Sequence, residues 1–160
     1  MQPDLIETKR LRLVGVEMYI NLEEYFVPKI KAMRGEIAAR LDEIQNRKNE
    51  NIYVGFWHWP FTPEEHYSLH RIYFCGVEVH DFKNVPYGMT CKNLPESKFA
   101  LFAERNGEEG TVTQGKNGAY QSWLPQSNYK VNYSIPGDFE VYYFDEKMEN
   151  HEVWIPVVEK

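Results

Sequence analysis

The stretch FVPKIKAMRGEIAARLDEI, residues 26–44, decides the fold that we predict, because it is the clearest helix in the chain. Its apolar residues recur at spacings of three and four, which places them on one face of a helix. These residues are Phe26, Ile30, Met33, Ile37, Leu41 and Ile44. Pro28 suits the first turn, where its missing N–H is not needed. We therefore predict an amphipathic helix that covers an apolar surface.

The segments around this helix predict a sheet. Residues 9–20 alternate apolar and charged side chains, and the aromatic segments 52–59 and 71–80 follow the helix as two further strands. The same order of strand, helix, strand and strand then recurs at residues 97–104, 111–126, 138–145 and 151–158. Two βαββ units in series predict an α+β fold, with two helices on one face of an antiparallel sheet.

The length and the punctuation of the chain predict one domain made of two repeats. A chain of 160 residues suits a single domain with a sizeable core. We assign residues 1–160 to this domain, with the repeats at about 9–90 and 91–160. Residues 81–97 contain Pro86, Gly88 and Pro95, so we expect them to form an irregular segment that connects the repeats.

The composition excludes several classes of protein. Aromatic residues make up 15% of the chain, which is too many for a disordered protein. No apolar run approaches the roughly 18 residues of a membrane span, and the first residues lack the apolar core of a secretion signal. The net charge of −6 argues against a protein that coats nucleic acid. We expect a cytoplasmic protein that neither enters a membrane nor binds DNA directly, with Cys75 and Cys91 reduced.

Two glutamates inside predicted strands are the most informative candidate site residues. Glu78 lies in FCGVEVH and Glu140 in DFEVYYF, and a carboxylate is rarely buried unless it has a partner or a task. Strand alternation puts Phe74 and His80 on the face of Glu78, and Tyr142 on the face of Glu140. These faces either meet solvent or form an aromatic cleft with acidic groups at its base.

Aromatic residues around position 57 support the cleft interpretation. Tyr53 and Trp57 share one face of their strand and would form walls for a flat, cationic or polarised ligand. The alternative is that they fill the core, since strands favour aromatic residues in general. His66 and His70 are four residues apart, but they lie in a loop-like segment with no third ligand at a suitable spacing. We therefore predict no metal site and no cofactor.

Four segments resemble one protein family when they are taken together. They are CGVEV, VPYGMTCKNLPESKFALFAERNG, AYQSWLPQSNY, and DFEVYYFD with VWIPVV. In this order they resemble the GyrI-like small-molecule-binding family, which also supplies effector-binding domains to AraC-type and MerR-type regulators of bacteria. The resemblance covers essentially the whole chain. Because no helix-turn-helix module precedes the first strand, the chain resembles a stand-alone member.

The resemblance implies a duplicated βαββ fold of the SHS2 type, with a ligand cleft between its halves. It also implies that Glu140 is the central acidic residue that meets ligands and that Glu78 is a second acidic residue near it. Trp123 and Tyr53 would then lie on the wall of the cleft.

Three hypotheses for the function follow, in the order in which we rank them. The first is a multidrug-type binding protein for a hydrophobic, cationic or aromatic small molecule. Its ligand would contact Glu140, Glu78, Tyr53, Trp57, Phe74, Trp123, Tyr142 and His80. The second is a hydrolase of electrophilic, cyclopropane-type genotoxic compounds, in which Glu78, Glu140 and Tyr142 would be catalytic. The third is an interaction module that acts on DNA gyrase or on a regulator, and exposed edge strands would also allow a homodimer.

Overall fold

The structure, a computed structural model, describes residues 2–57, 70–104, 118–143 and 151–160. Its strands are β1 (Leu5–Asn21), β2 (Ile52–Trp57), β3 (His70–Glu78), β4 (Thr90–Glu104), β5 (Tyr129–Val131), β6 (Phe139–Tyr142) and β7 (His151–Glu159). Helix α1 (Val27–Ala39) is followed by a 3-10 turn, Leu41–Glu43. A π-helical turn, Ala119–Trp123, continues into an α-helical turn, Leu124–Gln126, and we call the two together α2.

The order of these elements confirms the predicted α+β fold, in which two helices accompany an antiparallel sheet. Some strand boundaries differ from the prediction: β1 begins at Leu5 and not at residue 9, and β4 begins at Thr90, inside the segment 81–97 that we expected to be irregular. The first part of β4 pairs with β1, and this pairing satisfies its backbone groups despite Pro95. The short strand β5 was not predicted, and residues 111–117 of the second predicted helix lie outside the described residues.

The helix predicted for residues 26–44 is shorter than expected. It ends at Ala39, because the N–H of Arg40 turns back to the carbonyls of Glu36 and Ile37. Leu41 and Ile44 nevertheless reach the same core from the 3-10 turn that follows. The predicted apolar face is therefore confirmed, although its residues are divided between α1 and the 3-10 turn with the residue that follows it.

The strands pair antiparallel throughout, in the order β4-β1-β3-β2-β6-β7-β5. Because β4 also pairs with β7, six strands close into a ring of pairings, with β5 outside it. The length of β1 makes this closure possible, since its first part pairs with β4 and its second part with β3. A closed sheet has two separate faces, one inside and one outside.

Buried side chains divide between these two faces, which we call the helix face and the inner face. On the helix face, α1 covers one core with Met33 and Ile37, and α2 covers a second core with Trp123. The inner face is filled by a third core, rich in aromatic rings, that includes Phe74, Phe99, Phe139 and Trp154. The two helices therefore lie on the same side of the sheet, as the repeat predicts.

A pair of glycines brings β1 and β3 close together beside the inner core. Gly15 lies directly opposite Gly76 in the strand register. A Cβ on Gly15 would overlap the backbone of Cys75, and one on Gly76 would overlap the ring of Phe74. Both positions therefore require glycine, and the Phe74 ring lies across the backbone two residues before Glu78.

Candidate functional site

Glu140 lies on the helix face, at the seam where the two helix-covered cores meet. Strand β6 pairs with β2 on one side and with β7 on the other, so that Glu140 stands opposite Val54 and Val153. Val54 belongs to the core under α1 and Val153 to the core under α2. Since directly opposed residues share a face, the register puts this carboxylate between the two halves of the fold.

Tyr142 and Arg34 surround the Glu140 carboxylate. The hydroxyl of Tyr142 donates a hydrogen bond of 2.6 Å to Oε2 of Glu140. Nη2 of Arg34, on α1, lies 3.7 Å from the same oxygen and donates a hydrogen bond of 3.2 Å to the Tyr142 hydroxyl. The guanidinium also lies 4.9 Å from the centre of the Tyr142 ring. We call these three residues the seam cluster.

The seam cluster holds its cation and its phenol in their ordinary protonation states. Burial disfavours the charged guanidinium, but Tyr73, Tyr142 and Glu140 outweigh this effect and raise the pKa of Arg34. Burial, followed by the negative charge of Glu140, raises the pKa of the Tyr142 hydroxyl. Arg34 therefore stays cationic at neutral pH, and Tyr142 stays a hydrogen-bond donor.

Aromatic rings extend the seam cluster on both sides. The Tyr142 ring stacks on His151 of β7, with ring centres 5.1 Å apart. On β3, Tyr73 belongs to the core under α1 and contributes to the raised pKa of Arg34. The cluster thus combines a carboxylate, a guanidinium and several rings, which are groups that bind flat organic molecules.

Arg34, Tyr73 and His151 were not predicted as site residues. Arg34 directly follows Met33 on the flank of the apolar stripe of α1, a position from which a long side chain can lie along an apolar surface. That position is the one signal that points to it. Tyr73 and His151 could not be found in this way, because their proximity to Glu140 depends on strand register.

Glu78 lies on the inner face, so the sheet separates it from Glu140. It stands opposite Leu13 of the inner core and is 7% exposed. The expectation that both glutamates share one cleft is therefore corrected. Alternation fixes the faces within one strand, whereas the relation between β3 and β6 depends on their pairing with β2. A substrate held by both carboxylates at once does not fit this arrangement, nor does the hydrolase mechanism that uses both.

Neighbouring groups satisfy the Glu78 carboxylate. Oε1 accepts hydrogen bonds from the Tyr53 hydroxyl and from Nδ2 of Asn49, each at 3.1 Å. Nζ of Lys48 lies 3.7 Å from Oε2, and the backbone N–H of Lys48 donates to the Glu78 carbonyl at 2.8 Å. Burial, followed by the charge of Glu78, raises the pKa of Tyr53. Glu78 thus ties the segment before β2 to β3.

A cavity of about 400 Å³ opens beside Glu78 on the inner face. Tyr53, Asn49 and Trp154 line it, and the Tyr53 ring meets the Trp154 ring edge-on with centres 5.6 Å apart. Nζ of Lys9 lies 4.7 Å above the Trp154 ring. The structure therefore brings Tyr53 together with Glu78, as the sequence suggested, but on the face away from the helices.

Phe74, His80 and Trp123 lie at three different places in the fold. Phe74 is fully buried in the inner core, and His80 is exposed beyond the end of β3. Trp123, on α2, is buried in the core that α2 covers, where it meets Phe102 edge-on and stacks on Tyr129, and it lines a cavity of about 540 Å³. The side chain of Trp57 lies outside the described residues.

Within residues 2–57, 70–104, 118–143 and 151–160, no three His, Cys, Asp or Glu residues are grouped to hold a metal ion. His66 lies outside these ranges. No helix in the described part of the chain is long and apolar enough to cross a membrane.

Solved structures with the same architecture define the class to which this fold belongs. SAV2435 bound to tetraphenylphosphonium is 14% identical, with a TM-score of 0.69 over 96% of this chain and 94% of that one. The C-terminal domain of EcmrR is 13% identical, with a TM-score of 0.63 over 98% of both chains. An integron cassette protein from the mobile metagenome of Vibrio cholerae is 11% identical, with a TM-score of 0.61 over 98% of both chains. At such identities the likeness concerns the fold alone.

The match of the amino-acid sequence to a family model identifies the family of this chain. The family model of Cass2, described as integron-associated effector binding protein, matches residues 4–157. The chain therefore belongs to this effector-binding family, and the GyrI-like resemblance is confirmed. A comparison with the curated proteins gives no match in sequence.

Proposed function

We propose that the protein binds a hydrophobic aromatic small molecule, lipophilic cations included, at the seam cluster on the helix face. Glu140 and Tyr142 supply the main contacts in this proposal. The observation that carries it is a carboxylate only 16% exposed, bonded by a phenol, at the join of two cores. A charged group is rarely kept in such a place unless it has a partner or a task. Membership of an effector-binding family supports the same proposal.

The chemistry of the cluster explains why an aromatic ligand suits it. Tyr142 and His151 form a stacked pair of rings, and a further flat ring gains both apolar burial and favourable ring contacts beside them. The Glu140 carboxylate gives the site a polar anchor that fixes the orientation of a ligand. The tetraphenylphosphonium bound by SAV2435 combines aryl rings with a positive charge, and it is therefore the probe that we choose first.

Calorimetric titration with tetraphenylphosphonium and with a panel of neutral aromatic dyes tests the proposal. Replacing Tyr142 by Ala removes the ring, and we expect the affinity for every bound compound to fall about tenfold, which equals about 1.4 kcal/mol. The matched control is Tyr87→Ala, because Tyr87 is 96% exposed and lies outside the seam cluster. If no aromatic compound binds, or if Tyr142→Ala binds as the unchanged protein does, the proposal fails.

A further inference from the structure

We propose that Arg34 sets the charge preference of the seam cluster by acting as a resident cation, so that the unchanged protein prefers uncharged aromatic ligands to lipophilic cations. This inference rests on the proposed function and concerns the same site. It names the ligand class more narrowly, since it separates neutral from cationic aromatics. It also assigns a specificity-determining role to a residue of α1.

Arg34 already makes the contacts that an aromatic cation would make with this site. Its guanidinium carbon lies 4.9 Å from the centre of the Tyr142 ring, within the distance of about 6 Å at which a cation is attracted to a ring face. Its Nη2 lies 3.7 Å from Oε2 of Glu140 and bonds the Tyr142 hydroxyl. A ligand cation would have to share these partners with Arg34 or to replace it.

The charges of the cluster cancel for an incoming ligand. A cation near Tyr142 is attracted by Glu140 and repelled by Arg34 at a similar distance, so the two interactions largely offset each other. A neutral ring keeps its apolar and stacking contacts without meeting this repulsion. The seam cluster, as it stands, therefore gives no electrostatic reason to select a cation.

The ion pair between Arg34 and Glu140 is long, although Tyr73 also interacts with Arg34. A nitrogen–oxygen distance of 3.7 Å between Arg34 and Glu140 is longer than a hydrogen bond. Nε of Arg34 is buried without a hydrogen-bond partner among the described residues, while 38% of the side chain is exposed. Arg34 thus does not make the bidentate pair that would hold it firmly to a carboxylate. Removing its charge should uncover Glu140 for a ligand cation.

Three phenyl-bearing probes of different charge test this inference. They are tetraphenylphosphonium, neutral triphenylphosphine oxide and tetraphenylborate, and calorimetric titration gives the dissociation constant of each. The variant Arg34→Met keeps a flexible, helix-compatible side chain but removes the charge. Arg34→Gln is the second uncharged variant, and Arg34→Lys keeps the charge. Lys31→Met is the matched control, because Lys31 is an exposed cation of the same helix.

We expect the unchanged protein to bind the neutral probe at least as tightly as the cation. In Arg34→Met and Arg34→Gln, the affinity for the cation should rise about tenfold relative to the neutral probe, a change of the size that desolvated cation–π and carboxylate contacts supply. Arg34→Lys and Lys31→Met should keep the original ratio. Glu140→Gln should shift the preference towards tetraphenylborate.

The titrations distinguish a failure of the inference about Arg34 from a failure of the proposed function. If the probes bind but the ratio of cation to neutral affinity is the same with and without the Arg34 charge, the inference about Arg34 is overturned and the proposed function stands. If the unchanged protein already prefers the cation by about tenfold or more, the inference is also overturned. If no probe binds any folded variant, the proposed function fails, and the inference fails with it.

Discussion

Glu78 and Glu140 lie on the two strands that flank β2, yet their partners come from different parts of the molecule. The partners of Glu78 are Tyr53 on β2 and the segment just before it, both of which belong to the sheet and its immediate connection. Glu140 is paired by Tyr142 on its own strand and by Arg34, which arrives from a helix packed on the sheet. The contacts of Glu78 thus come from the sheet and the segment before β2, whereas Glu140 also contacts a side chain of α1.

This difference teaches that burial by itself does not identify a ligand site. Glu78 is the more buried of the two glutamates, and two hydrogen bonds satisfy one of its oxygens. Such a group stabilises the fold, because removing it leaves its donors without an acceptor. A carboxylate whose partner can leave is better suited to exchange that partner for a ligand. The predictions below test this division, from the largest expected effect to the smallest.

The largest effect is expected from the substitution Glu78→Ala. It leaves the Tyr53 hydroxyl and the Asn49 amide without their acceptor, so the free energy of unfolding should fall by about 2–4 kcal/mol. Glu140→Ala is the matched change on the other strand and should cost about 1–2 kcal/mol, since the Glu140 side chain is 16% exposed against 10% for that of Glu78 and the Tyr142 hydroxyl donates to it. Urea denaturation measures both. Equal losses for the two variants would remove the distinction between the glutamates.

The next largest loss of stability is expected from the two phenols that donate hydrogen bonds to these carboxylates. Tyr53→Phe removes a hydroxyl from a side chain that is 1% exposed, and we expect a loss of about 1–2 kcal/mol. Tyr142→Phe should cost about 0.5–1 kcal/mol, because its surroundings are more open to water. Thermal and urea denaturation of the pair give the comparison. A larger loss for Tyr142→Phe would assign the structural role to the seam instead.

The same phenols predict how stability depends on alkaline pH. Burial, and then the adjacent glutamates, raise the pKa of Tyr53 and Tyr142 above the ordinary value of 10.0. A raised pKa means that the folded state holds the phenol proton more tightly than the unfolded state. The stabilisation is therefore complete below pH 10 and is lost as the pH rises above it. A titration followed by tyrosinate absorbance should show a group of tyrosines that ionise well above pH 10.

Two glutamine variants assign each phenol titration to one tyrosine. Glu78→Gln removes the neighbouring charge from Tyr53, and Glu140→Gln removes it from Tyr142, so each should bring one phenol to a lower pH. In the Glu140→Gln variant, the Tyr53 phenol should titrate at a higher pH than the Tyr142 phenol. Simultaneous titration of all tyrosines near their ordinary pKa would contradict the burial of both phenols.

The smallest effect is a difference in thiol reactivity. Cys91 is exposed, whereas Cys75 is buried under α1, where burial raises the pKa of its thiol to about 12. A thiol-reactive reagent should therefore label Cys91 at once and should label Cys75 only when the structure opens. Glu78→Ala should speed the labelling of Cys75 more than Glu140→Ala does. The reverse order would mean that the seam controls the global stability.

Local patterns predicted much of the fold but less of the site. The spacing of apolar residues in 26–44 predicts the buried face of α1, and alternation predicts that Glu140 and Tyr142 share a face. The face of Glu78 relative to Glu140 could not be predicted, because a shift of one residue in strand register exchanges the faces. Arg34 was missed for a related reason, since the Tyr142 that it bonds lies 108 residues away.

The most direct test of the seam as the ligand site is a crystal structure of the complex with tetraphenylphosphonium, grown with the unchanged protein and with Arg34→Met. We predict an aryl ring on the helix face within about 6 Å of the Tyr142 ring, and higher occupancy in Arg34→Met. A probe found instead beside Glu78 on the inner face, or beside Trp123 and Tyr129, with the seam cluster untouched, would contradict the account.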